Sequence, residues 1–150
     1  KGPFLRYLIK SNHYKQVLVF VSSSRTADNL TEKLNKNGIK AASMHGKKSQ
    51  GSRYNALDDF KTGAIDVLIA TDLIARGIHI DDLPIVINYE LPRSPLDYVH
   101  RIGRTGRANA IGKAISLITP EDEHHFKIIQ KKAKIRIALQ SSEEINLQGF

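Results

Sequence analysis

Apolar positions along this chain follow two periods, and the switches between them mark the elements. Phe4, Leu5, Tyr7, Leu8 and Ile9 sit at helical spacing around Arg6 and Lys10, which predicts a helix over about residues 4–12. Gln16-Val17-Leu18-Val19-Phe20-Val21 is a continuous, β-branched run of the kind a buried parallel strand carries. After Ser22-Ser23-Ser24 the helical period returns near Arg25, with Ala27, Leu30 and Leu34 on one face, and Asn37-Gly38 marks its end. A second strand is predicted over 39–44, closed by His45-Gly46. The next helix runs from Ser49 to about Lys61, turns Leu57 and Phe60 inward and stops at Thr62-Gly63.

Short apolar runs at 66–70, 85–89 and 112–118 predict three more strands. Leu91-Pro92 ends the second of these, and Ser94-Pro95 opens a helix with proline at its favoured first position. Thr119-Pro120-Glu121 starts a last helix through about Lys134, where Thr119 and Asp122 resemble a capping box. Strands alternating with helices imply an α/β fold with a mostly parallel sheet and helices on both faces. Ligands of such folds meet the loops after the carboxyl ends of the strands. Three polar or glycine-rich stretches fall there: Ser22 to Arg25, His45-Gly46, and Thr71-Asp72-Leu73-Ile74-Ala75-Arg76-Gly77. All three are expected to open on one rim.

Composition narrows the class. With 150 residues the chain is one domain, and 41% apolar content excludes a disordered chain. It holds no cysteine, so disulfides and thiolate metal sites are excluded. No apolar run approaches the roughly 18 residues of a membrane span, and no signal peptide opens the chain. A cytoplasmic location is expected. A formal net charge of +8 favours a polyanionic partner such as nucleic acid. The start at Lys1 and the polar end at Gly149-Phe150 suggest a domain excised from a longer chain.

The densest chemistry lies in His100-Arg101-Ile102-Gly103-Arg104-Thr105-Gly106-Arg107. Its arginines step by three, which would bring them near one face of a helical turn. Gly103 and Gly106 disfavour a regular helix, however, and a helix ending here would present two or three guanidiniums from an approachable backbone. Planar, permanently charged forks suit phosphate oxygens. A basic loop after a helix is the plainer alternative.

On the rim, Thr71 and Asp72 can cap a following short helix, or Thr71 and nearby amides can hold a phosphate. Gly77 allows close backbone approach to a ligand. Gln50 and Arg53 lie one turn apart at a helix start, after Lys47 and Lys48, so an anion would find dipole, amides and guanidinium together. A solvated charged face is the alternative there. Gly46-Lys47-Lys48-Ser49 is not a P-loop, because no Ser or Thr follows Gly-Lys and no glycine sits five residues earlier. Phosphate-seeking arginines without a nucleotide cradle suggest half of an active site, with arginine fingers offered to a neighbour.

Assembled, these residues resemble the second RecA-like domain of a DEAD-box RNA helicase, a P-loop-type fold without its own P-loop. Val19-Phe20-Val21-Ser22-Ser23 resembles motif IV and Gln50-x-x-Arg53 motif IVa. Ala70-Thr71-Asp72 through Ala75-Arg76-Gly77 resembles motif V, and the octapeptide matches motif VI letter for letter. The text around His45 to Gln50 and Asn88 to Pro92 is most similar to the bacterial RhlE-like subgroup.

The resemblance implies roles. Arg104 and Arg107 would be arginine fingers to the γ-phosphate of ATP, whose Mg²⁺ and cradle belong to an N-terminal RecA-like domain of the same chain. His100 would bond across the cleft to that domain. Gly77 and His79 would face the nucleotide. Ser23, Gly46, Gln50, Arg53 and Thr71 would grip RNA backbone, while Phe20, Asp72, Arg76 and Arg101 would support the site. No metal site of its own, no membrane contact and a monomeric fragment are expected. The family usually has Asp where His79 stands; imidazole is a weaker acceptor than carboxylate, so weaker nucleotide binding is expected. Two rivals stand beside this reading. One is a self-standing RNA-binding module, which five Tyr and five Phe in mostly apolar patterns disfavour. The other is a DNA-directed helicase of the same superfamily, disfavoured by His100-Arg101-Ile102, where RecQ-like relatives usually carry Gln and Glu.

Overall fold

A computed structural model describes residues 1–77, 80, 82–105 and 112–150. Five strands form one parallel sheet: β1 (Val17–Phe20), β2 (Ala41–Met44), β3 (Val67–Ala70), β4 (Ile85–Asn88) and β5 (Lys113–Ser116), in the order β2-β3-β1-β4-β5. Among the described residues six α-helices intervene or flank: α1 (Gly2–Ser11), α2 (Ser24–Lys36), α3 (Gln50–Thr62), α4 (Asp72–Ala75), α5 (Pro95–Ile102) and α6 (Glu123–Ala133).

The period of two in each strand divides the core. Val17, Val19, Val67, Ile69, Ile85 and Ile87 face one side and pack with Leu5 and Ile9 of α1 and Ala27, Leu30 and Leu34 of α2. Leu18, Phe20, Leu68, Ala70 and Val86 face the other, against Ala56 and Phe60 of α3 and Ala75 of α4. Helices therefore cover both faces, as the alternating pattern implied. A third cluster, Tyr98, Phe126 and Ile129, joins α5 to α6. None of the described helices is long and apolar enough to cross a membrane.

Local signals set the ends of several elements. Gly38 and Gly63 take φ of 80° and 85° behind α2 and α3, the left-handed conformation that only glycine adopts cheaply. Strands are shorter than the apolar runs because a ladder extends only as far as its partners match. Ala41 pairs with Val67, which leaves Ile39 and Lys40 outside β2. Gln16 turns away at φ 53°, so β1 begins at Val17.

The last helix is preceded by a 3₁₀ turn over Pro120–Asp122. The Thr119 amide and hydroxyl donate to Asp122 Oδ2 at 3.0 and 2.8 Å, and Lys1 Nζ lies 3.4 Å away. Burial pushes this carboxyl up, but the Thr119 bonds and the Lys1 ammonium outweigh it and leave it below its ordinary value. A depressed carboxylate contributes stability above its unfolded pKa and loses it as pH falls through the folded one. Asp122→Ala is expected to cost about 1 kcal/mol at neutral pH, or roughly 2–4 °C of melting temperature. The difference from wild type should vanish once the pH is well below about 3.9. A thermal melt of both proteins at pH 7 and in acid checks this.

Candidate functional site

All five strands point their carboxyl ends at one rim, where the loops after β1, β2 and β3 open together as expected. The centre of the rim is a guanidinium. Arg101, on the last turn of α5, is 1% exposed. Its Nε and Nη2 donate to the two Asp72 carboxylate oxygens at 2.7 Å each. Nη1 donates to Asn88 Oδ1 at 3.2 Å and to the Glu90 carbonyl at 2.5 Å, and the fork lies 4.9 Å over the Phe20 ring. A buried charge is tolerated only with such complete pairing. One residue thus ties α5 to the starts of the loops after β3 and β4, with Phe20 at the end of β1 as its floor.

This sorts the three arginines that a helical spacing would have placed together. α5 ends at Ile102 with Gly103 as its cap, and the chain goes on as a tighter turn in which the Arg104 and Thr105 amides donate to the Arg101 and Ile102 carbonyls. Arg101 goes inside. Arg104 lies beyond the helix, half-buried, and donates to the Ala75 carbonyl at 2.8 Å and the Ile80 carbonyl at 3.3 Å. Arg107 lies outside the described residues, as does His79. His100 is exposed on α5. His100 and Arg104 line one shallow crevice with Phe20, Asp72, Ala75, Arg76, Asp97 and Arg101.

Asp72 does not cap α4; its carboxylate is spent on Arg101. Thr71 stands at the cap position but makes no side-chain cap bond. The capping alternative is therefore absent for both, and the Thr71 hydroxyl, half-exposed on the rim, keeps its capacity for a ligand. Arg76 forms an ion pair with Asp97 of α5, and Asp97 raises the already high Arg76 value further. Gly77 is exposed with no left-handed φ, and among the described residues a Cβ there would meet the Ile74 carbonyl at 3.7 Å. Backbone geometry alone does not demand glycine at that position.

The second part of the rim is the β2–α3 turn. Gly46 is exposed over open space. Ser49 caps α3 by accepting the Ser52 amide at 3.1 Å, which leaves Gln50 exposed on the first turn. Arg53 is half-buried, and its Nε is buried with no hydrogen-bond partner among the described residues. An unpaired buried donor is costly unless something accepts from it. Ser23, by contrast, is already used: it caps α2 by accepting the Thr26 amide at 3.1 Å.

Several residues at this rim are not singled out as site residues by the sequence. Asn88 is fully buried, bonds Arg101 and donates to Ser116 Oγ at 3.0 Å. Its only hint was a lone amide closing an otherwise apolar strand. Glu90 accepts the Ser22 amide at 3.0 Å and so ties the loop after β1 to that after β4. Asp28, on α2, accepts from Ser43 and His45 at the end of β2.

Among the described residues no three His, Asp or Glu side chains converge to hold a metal ion. The acidic groups of the crevice, Asp72 and Asp97, are engaged by Arg101 and Arg76. Both described carboxylates of the crevice are thus already paired with guanidiniums.

Comparison with known proteins agrees with this geometry. The family model of the helicase conserved C-terminal domain matches residues 1–109. Over 141 residues the chain is 40% identical to ATP-dependent RNA helicase RhlB of Pseudomonas syringae pv. tomato, covering 94% of this chain and 36% of that protein. A DEAD box protein from the hyperthermophile Methanococcus jannaschii aligns at TM-score 0.84 and 41% identity, over 90% of this chain and 37% of that one. Saccharomyces cerevisiae Dbp5 bound to RNA and ADP BeF3 aligns at TM-score 0.79 and 34% identity, over 88% and 36%. The chain spans 36% or less of the length of the curated relatives RhlB, Dbp2 and prp11. With this sheet, this rim and these relatives, the chain belongs to the helicase conserved C-terminal domain family, as the RecA-like second domain of a DEAD-box protein.

Proposed function

We propose that the chain is one jaw of an ATP-driven RNA clamp. ATP sits on a P-loop domain elsewhere in the parent protein, and closure brings Arg104, with Arg107, to its γ-phosphate. His100, exposed on α5, bonds across the cleft to that domain. Arg101 makes no phosphate contact; it holds the rim rigid from within. RNA lies along the β2–α3 turn and the loop after β3, where the Gly46 and Gln50 backbone, the Arg53 fork and the Thr71 hydroxyl meet phosphates. Backbone contacts carry little sequence information, and a 2′-hydroxyl partner would favour RNA over DNA. Each ligand binds the closed state better, so each promotes closure for the other. Hydrolysis releases the clamp, and a short duplex bent in it comes apart.

The observation that carries this reading is the sorting of the arginines. The fold hides Arg101 in a four-bond cage and carries Arg104, with His100, to a crevice that holds no phosphate cradle among its described residues. The orphaned Arg53 Nε supports the RNA half. So does the RNA and ADP BeF3 bound by the similar Dbp5. Placement in the RhlE-like subgroup rests on two short stretches of sequence, and a fungal Dbp2 and bacterial RhlB match at the same 40% identity. Weakened nucleotide binding through His79 follows from side-chain chemistry.

The purified 150-residue chain is expected to hydrolyse no ATP above background and to bind RNA weakly, whereas the full-length parent turns over ATP on RNA addition. Turnover by the chain alone overturns the clamp. Tight RNA binding by the chain without ATP turnover in the parent would instead mark an RNA-binding module. Equal unwinding of DNA and RNA duplexes would mark a DNA-directed relative.

A further inference from the structure

At the end of β2 a buried histidine stands between two partners. His45 is 2% exposed. Its Nε2 lies 2.9 Å from Asp28 Oδ1, and its Nδ1 is 3.1 Å from the Lys47 amide nitrogen. A backbone N–H can only donate, so Nδ1 accepts and carries no proton. The ring is therefore the Nε2–H tautomer, and it donates to Asp28. The Lys48 amide donates to the His45 carbonyl at 3.1 Å, which closes the turn.

Asp28 is on α2, and half of its side chain is exposed. It also accepts the Ser43 hydroxyl at 2.8 Å and lies 3.5 Å from Lys48 Nζ. Burial pushes this carboxyl up, but the bonds from His45 and Ser43 outweigh that and leave it below its ordinary value. One carboxylate thus gathers a strand residue, the ring that ends the strand, and a lysine of the following turn. That turn leads into the Ser49 cap and the first turn of α3, which carries Gln50 and Arg53. A half-exposed aspartate with three partners outside its own helix does more than solvate a helix face.

We propose that Asp28 is a positioning residue of the RNA grip: it fixes the His45 ring, which sets the pose of Gly46, Gln50 and Arg53. The assignment rests on the RNA reading above and goes beyond it by naming the group that aims the contacts. Asp28 touches no RNA and no nucleotide itself. Removing it frees the imidazole to rotate or exchange tautomers, and the Lys47 amide loses its fixed acceptor.

The test uses RNA-stimulated ATPase kinetics of the full-length parent. Asp28→Ala is expected to raise KM for RNA by about tenfold, the size of one charged hydrogen bond. The KM for ATP and the kcat at saturating RNA should stay unchanged. Asp28→Asn keeps an oxygen that can accept from His45, and is expected to stay within about threefold of wild type, since a neutral acceptor is weaker but aligned. Long-range ¹H–¹⁵N spectra of the 150-residue chain should show His45 as the Nε2–H tautomer, with mixed tautomers in Asp28→Ala.

Arg53→Ala runs beside them. If Arg53→Ala leaves KM for RNA unchanged, the RNA reading fails. If it raises KM while Asp28→Ala does not, the positioning role alone is overturned. A wild-type His45 protonated on Nδ1 overturns it too, even should Asp28→Ala fail to fold. A joint loss of kcat, both KM values and stability would mark a carboxylate that merely holds the fold, and would likewise overturn the positioning role.

Discussion

In the full-length parent, Arg104→Ala is expected to slow RNA-stimulated ATP turnover by about 10³- to 10⁵-fold, the measured worth of an arginine finger. That range equals roughly 4–7 kcal/mol of transition-state stabilisation. In the proposed clamp the fork would stabilise the charge spread over the transferring phosphoryl group in the transition state, so its loss is expected to fall on kcat more than on KM for ATP. Arg104→Lys keeps a charge but loses the planar pair of donors, and should recover only part of the rate. Arg104 also braces the Ala75 and Ile80 carbonyls, which is a second route by which its loss could slow turnover. Melting curves of the chain separate the two. A large fall in melting temperature with little change in kcat would assign Arg104 to bracing and remove it from catalysis.

The second large effect is on stability. Arg101→Met should leave the Asp72 carboxylate without its bidentate partner and the Asn88 oxygen and Glu90 carbonyl without donors. Breaking a buried pair from one side costs up to about 3–5 kcal/mol, and water reaching the 24% exposed Asp72 side chain offsets part of that cost. For a domain of this size that corresponds to a melting temperature lower by roughly 6–20 °C. Removing both charges, in Arg101→Met with Asp72→Leu, is expected to restore much of the loss, since an apolar pair of similar volume can replace an ion pair. The four proteins form a double-mutant cycle, read by thermal denaturation. A single-variant shift below about 2 °C would mean that the cage contributes nothing net.

The two arginines differ although they sit three residues apart in one motif. Gly103 between them is the one local signal, and it does not say which of the two is buried. Asp72, 29 positions upstream, the Asn88 amide that closes β4 and the Glu90 carbonyl beyond it decide which guanidinium is drawn inside. The helix also stops between them, at Gly103. The same holds for Thr71 and Asp72. Their types suit a helix cap, and a short helix does follow, yet Asp72 prefers a buried fork to exposed amides because a charge-assisted pair is stronger where water is scarce.

The order of strands and helices was readable from the chain because periodicity is local. An alternation of two places every other side chain on one sheet face, a spacing of three to four builds a helix stripe, and glycines such as Gly38 and Gly63 end helices through their own backbone freedom. The identity of motif VI was equally local, since eight consecutive residues spell it. Which strand lies beside which, how far each ladder runs, and which polar groups are buried were settled only by the packed fold. Asp28 and His45, 17 positions apart, meet because α2 crosses over β2. Asn88 meets Arg101 because parallel pairing aligns the strand ends. Desolvation and hydrogen-bond partnership are properties of a neighbourhood, and the neighbourhood forms only when distant segments pack.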